Sequence, residues 1–168
     1  KGLFKKQPIH YQNLKIITES AIVSKEYDWA IEFMENNKEN ISQLNKESVF
    51  YLMVAKLYFF KKDYFATRKF ISKVSMDDYF HYIEAKLIEC RVEFELNNYL
   101  SVVDSINTAK KFLQSHTEIG KDFRQAYTIF LSILFKLVKL YEKSGKDNIL
   151  FEIEMLEKNI LSDKNQIY

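Results

Sequence analysis

The stretch that decides the fold is residues 52–74, which read LMVAKLYFFKKDYFATRKFISKV. Its apolar positions recur with the 3.6-residue spacing of a helix, as at Leu52, Ala55 and Phe59. Asp63 follows at a position where an N-cap side chain accepts the free N–H groups of the next helix. The stretch therefore predicts a helical hairpin, with helices over residues 46–60 and 64–74.

The hairpin pattern repeats on both sides of this stretch. A polar residue followed by tyrosine opens the second helix of three hairpins, at Glu26-Tyr27, Asp63-Tyr64 and Asn98-Tyr99. The tyrosines lie 37 and 35 residues apart, a period typical of helical-repeat proteins. Periodicity along the whole chain predicts eight helices. They span residues 8–23, 26–35, 46–60, 64–74, 76–96, 99–115, 121–144 and 147–160.

Composition favours an all-α fold. The 168 residues include three glycines and one proline, and sheets need frequent turns that draw on these residues. Hydrophobic residues make up 47% of the chain, enough for one core without disulfides or metals. We therefore expect a single array of about four stacked hairpins over residues 8–160. Residues 1–7 are expected to form a basic N-terminal tail, and residues 161–168 a C-terminal tail.

The repeat resembles the tetratricopeptide family, whose unit is a helix–turn–helix of about 34 residues. Ala55 matches the small residue of the family's first helix, Tyr58 matches its aromatic residue, and Ala30 matches the alanine of its second helix. The resemblance covers about residues 11–160. It implies a right-handed α-solenoid whose first helices line a concave, ligand-binding groove.

The sequence departs from the family pattern at two kinds of position. Lys62 and Asn97 stand where the family's turn glycine is expected. Thr67 and Val102 replace the alanine of the second helix. The repeats are therefore degenerate in sequence, although their spacing is kept.

Aligning the hairpins by their repeat pattern predicts which positions face the groove. The first helices of the second, third and fourth hairpins each supply one cation, namely Lys56, Arg91 and Lys139. Phe59 and Phe94 lie one turn beyond two of them. A basic column flanked by aromatic rings suits an extended peptide, because cations bind carboxylates and rings cover apolar side chains. These five residues are the predicted ligand-binding site. The alternative is that the cations are solvated and the rings belong to the core.

The predicted function is a non-catalytic scaffold that binds a protein or peptide partner, as part of a larger regulatory protein. The alternative is an RNA-binding hairpin array, since helical repeats can read one base per repeat. A net charge of +2 with both signs interspersed disfavours a nucleic-acid partner. We expect a cytoplasmic location, because the basic opening residues lack the apolar segment of a secretory signal.

Residues capable of catalysis or metal binding form no recognisable motif. The histidines His10, His81 and His116 fall in different segments, and no zinc-site spacing links them. Glu89 and Glu93 share a helix face, as solvated carboxylates commonly do. We therefore expect no catalytic residues, no metal site, no cofactor and no enzymatic activity.

Two further expectations concern burial, and a third concerns the membrane. The only cysteine, Cys90, is expected to be a small buried side chain, and Trp29 to pack against the neighbouring hairpin. The most apolar stretch, residues 129–141, is too short for a bilayer, which needs about 20 apolar residues. Lys136 and Lys139 also interrupt this stretch, so we expect no membrane span.

Overall fold

The computed structural model describes residues 8–42, 44–143, 151 and 153–158. Apart from one isolated bridge, all regular structure in these residues is helical, which confirms the predicted all-α class. The helices are α1 (Tyr11–Ser24), α2 (Tyr27–Asn37), α3 (Lys46–Phe60), α4 (Tyr64–Ile71), α5 (Tyr79–Glu95), α6 (Tyr99–Ser115) and α7 (Lys121–Lys143), with a 3-10 turn at Lys38–Asn40. Residues 151 and 153–158 are also helical, whereas the rest of the predicted eighth helix and both predicted tails lie outside the described residues.

The first helix begins later than the sequence predicts. Pro8 lies ahead of α1, because the next residue bonds to the link between α2 and α3. The N–H of Ile9 donates to the Asn40 carbonyl at 2.8 Å, and the N–H of Ser42 donates to the Ile9 carbonyl at 3.0 Å. This pairing holds the chain extended until Tyr11, where the helix starts.

Aspartates begin two of the helices. The Asp63 carboxylate accepts the Ala66 N–H at 2.9 Å, which confirms the predicted N-cap of α4. The Asp78 carboxylate accepts the His81 N–H at 3.4 Å, so α5 begins at Tyr79 and not at residue 76 as predicted. A side-chain cap therefore decides where each of these helices starts.

Three hairpins close with the same turn. One residue of each turn has a left-handed φ, of 62° at Lys25, 66° at Lys62 and 59° at Asn97. In every case the following residue donates its N–H to the carbonyl five residues back, at 2.9–3.0 Å. This is the Schellman motif, which favours glycine because glycine has no Cβ to strain the left-handed conformation. Two lysines and an asparagine therefore adopt the conformation that glycine favours.

Equivalent residues of these hairpins have equivalent environments. Seven positions before the left-handed residue stand three buried small side chains, Thr18, Ala55 and Cys90. Five positions after it stand three fully buried residues, Ala30, Thr67 and Val102. The buried threonines satisfy their hydroxyls within the helix, as Thr67 does by donating to the Asp63 carbonyl at 2.8 Å. The predicted burial of Cys90 is confirmed.

Helix α5 lies between two clusters of buried side chains. α3 contacts α1, α2, α4 and α5, while α6 contacts α5 and α7. From α5, Ala85, Ile88 and Val92 join the cluster around α3. Ile83 and Cys90 join the cluster that α5 forms with α6 and α7. The contact between α3 and α5 therefore lies at the centre of the described chain, and it carries most of the predicted site.

Candidate functional site

The first predicted cation, Lys56, is paired across the contact between α3 and α5. Its Nζ donates to Glu84 Oε2 at 2.6 Å, and the two side chains are 25% and 27% exposed. Partial burial leaves this ion pair less screened than a surface pair. Lys56 therefore has a partner within the protein, although solvent still reaches it.

The second cation, Arg91, reaches from α5 onto α3. Its guanidinium carbon lies 4.4 Å from the ring centroid of Phe59 and 5.6 Å from that of Phe60. Burial lowers the pKa of Arg91, and the nearby carboxylate of Glu95 acts in the opposite direction. Phe59 is buried, whereas Phe60 is 40% exposed. Arg91 thus forms one side of a surface on which an aromatic ring is open to solvent.

Phe94 extends this aromatic surface toward α7. Its ring lies edge-on to Tyr141 with centroids 5.5 Å apart, and it is 6.0 Å from the Tyr99 ring. Tyr141 is 38% exposed. Phe94 therefore connects the ends of α5 and α7 through rings that solvent partly reaches.

The third cation, Lys139, lies in a different environment. Its Nζ donates to Glu142 at 2.5 Å within α7 and sits 5.6 Å from the Phe135 ring centroid. Lys110 of α6 lies over the same ring, at 5.7 Å. The structure thus brings Lys56, Phe59, Arg91 and Phe94 to α3 and α5, while Lys139 lies beside Phe135 and α6.

The position in α1 that is equivalent to Lys56 and Arg91 is one that the sequence reasoning did not consider. Glu19 of α1 stands six residues before the left-handed Lys25, as Lys56 and Arg91 stand before theirs. Its side chain is 61% exposed and 3.9 Å from Lys15. The column of cations therefore does not extend to α1. Counting six residues back from the turn that precedes each Tyr-initiated helix would have found Glu19 in the sequence.

A polar cluster lies near the start of α5. His81 Nδ1 is 2.6 Å from the Asp78 carboxylate, and both side chains are buried. The Tyr11 ring of α1 meets the His81 ring edge-on at 5.2 Å. Burial, helped by the negative charge of Glu84, raises the pKa of Tyr11 to about 12 and also raises the pKa of Tyr127. Side chains from α1, α5 and α7 therefore converge near Glu84.

The carboxylates considered for catalysis are engaged in ion pairs. Glu89 accepts from Lys86 at 2.6 Å, and Glu93 accepts from Arg68 Nε at 3.0 Å. Asn98 also donates to Glu93, at 3.0 Å. Within the described ranges, no three histidine, cysteine, aspartate or glutamate side chains are grouped so that they could hold a metal ion.

The burial of Cys90 bears on its chemistry. Its side chain is completely buried, and this burial raises the pKa of the thiol to about 12. A thiol in that environment is protonated at neutral pH and is a poor nucleophile.

Trp29 lies on the surface, so the prediction that it packs against the neighbouring hairpin is wrong. It is 56% exposed and stacks on Phe33 of its own helix, with centroids 5.6 Å apart. Ile16 and Val23 of α1 are also exposed, at 59% and 84%. The repeat pattern placed Trp29 on a face of α2 that was expected to be covered, but no described element covers that face.

None of the helices in the described part of the chain has the length and apolar character needed to cross a membrane. Comparison of the chain with protein-family models, curated proteins and solved structures gives no match.

Proposed function

We propose that this chain is a non-catalytic scaffold that binds a protein or peptide segment. It is built as a right-handed array of stacked hairpins, and the ligand lies across α3 and α5. Recurrence of one turn at three points, 37 and 35 residues apart, supports the array. The contacts of α3 with α1 and α5 support the stacking, because first helices of successive hairpins adjoin in such arrays.

The observation that carries the proposal is Arg91 stacked on Phe59 beside the open ring of Phe60. A guanidinium held in place by a ring is pre-oriented, so a ligand carboxylate could bind it with little loss of side-chain entropy. Phe60 and Tyr141 offer apolar area to neighbouring ligand side chains. The face suits a segment that alternates acidic and apolar residues.

Peptides selected on the wild-type protein from a random display library test the proposal. Arg91→Glu should weaken a selected peptide by around 2 kcal/mol, the scale of losing a hydrogen-bonded charge pair at an interface. Phe60→Ala should also weaken binding, and it removes an exposed ring that contributes little to the core. Fluorescence anisotropy gives the dissociation constants, and circular dichroism shows whether each variant is folded.

Lys69→Glu is the matched control, because Lys69 is an exposed cation on α4. It should leave peptide binding unchanged. If folded Arg91→Glu and Phe60→Ala proteins bind the selected peptides as tightly as the wild type, the face on α3 and α5 is not the binding site.

A further inference from the structure

An open concavity of about 520 Å³ lies between α6 and α7. All the charged residues that line it are cations. Its wall is made by Lys110, Leu113, Gln114, Lys121, Arg124, Gln125, Thr128 and Ile129. Glu118 and Asp122 lie close to Lys121 in sequence, but neither lines the concavity. The lining therefore combines positive charge with amide and hydroxyl groups.

The cations of this concavity have no anionic partners within the part of the chain that the structure describes. Among the described residues, no carboxylate forms an ion pair with Lys110, Lys121 or Arg124. Of the three cations, Lys110 alone makes a cation–π contact with a described residue, the ring of Phe135. Arg124 Nε is also a buried nitrogen without a hydrogen-bond partner in this part of the chain. Because Arg124 lines the concavity, a ligand carboxylate that binds its guanidinium there would supply the anionic partner that the described residues do not.

We propose that this concavity is a second binding surface, which takes an acidic segment of a protein partner. Carboxylates of the segment would pair with Lys121 and Arg124, and the glutamine amides would bond its backbone. Ile129, which is 45% exposed, gives apolar contact beside the cations. The site lies apart from Arg91 and Phe60 and does not depend on the function proposed for them.

The shape and chemistry favour a peptide over other anions. Lys121, Gln125 and Thr128 are exposed, so the concavity is too open to bury most of a small ligand. No lining residue is aromatic, whereas single-stranded nucleic acids are generally held by stacking on rings. A segment lying across α6 and α7 can use cations spaced along both helices.

The test uses the full chain and a library of labelled 12-residue peptides that vary acidic and apolar positions, with glutamine-for-glutamate peptides as neutral counterparts. At least one acidic peptide should bind more tightly than its neutral counterpart. The double variant Lys121→Gln/Arg124→Gln should weaken that binding about tenfold or more, because two ion pairs are lost. Lys111→Gln is the matched control, since Lys111 is exposed on α6 and lies outside the lining.

Each other outcome overturns the proposal. It fails if no acidic peptide binds with a dissociation constant below about 1 mM, or if Lys111→Gln weakens binding as much as the double variant. It also fails if inorganic phosphate or a 12-nucleotide oligothymidylate binds this surface more tightly than every peptide. If Arg91→Glu alone abolishes acidic-peptide binding, the peptides occupy the face on α3 and α5, and the proposal for α6 and α7 fails while the first one stands.

Discussion

The contact between α3 and α5 and the concavity between α6 and α7 both carry cations, but the cations differ in their partners. At the first, Lys56 meets Glu84 and Arg91 lies on Phe59. At the second, Lys121 and Arg124 form no ion pair within the described residues. The first set therefore also contributes to the packing of the protein, whereas no carboxylate among the described residues pairs with Lys121 or Arg124.

This difference matters for interpreting charge in a helical repeat. A cation at a groove position looks the same in sequence whether or not a neighbouring helix supplies its counterion. Charge pairing depends on which faces meet, and a paired cation must break an internal contact before it binds a ligand. The following predictions test whether the two regions differ in this way.

The largest effect is expected from overpacking the interior of α3. Ala55 is completely buried, so Ala55→Trp should lower the free energy of unfolding by at least 1–3 kcal/mol. Ala126→Trp is the matched control on α7, where Ala126 is exposed, and it should change stability by no more than about 0.5 kcal/mol. Urea unfolding followed by circular dichroism measures both. Equal midpoints would mean that the α3 interior is no more tightly packed than the α7 surface.

A smaller effect distinguishes the two kinds of cation. Arg91→Ala should destabilise the protein by about 1 kcal/mol, because it removes a partly buried cation–π contact and the packing of the side-chain stem. Lys121→Ala should alter stability by no more than about 0.5 kcal/mol, since Lys121 is exposed. Thermal unfolding at matched salt compares the two. A loss at Lys121 as large as that at Arg91 would remove the contrast between the regions.

The smallest effect concerns the turn that ends α3 next to Phe59 and Phe60. Lys62→Gly should stabilise the protein by about 0.5 kcal/mol, because relief of the left-handed strain exceeds the added entropy of the unfolded glycine. Lys61→Gly, at a neighbouring position with φ of −71°, should instead destabilise by about 1 kcal/mol. Chemical denaturation of both variants measures the difference. Destabilisation by Lys62→Gly would show that the lysine side chain itself stabilises this turn.

Much of the local structure is determined by the sequence alone. The spacing of apolar residues located α6 at residues 99–115 and α3 at residues 46–60, as observed. The polar residue and tyrosine that open α2, α4 and α6 located three turns, each of which contains a left-handed residue, a common way for a helix to end. These are interactions between residues close in the chain, and local physics is enough to predict them.

Only the tertiary structure decided which side chains have partners. Periodicity gives the face of a helix that a residue occupies, but not the helix that covers it. Trp29 was therefore expected inside and lies outside, and Lys56 faces a glutamate 28 residues further along the chain. Contacts between distant segments depend on the packing of whole helices, which no local pattern specifies.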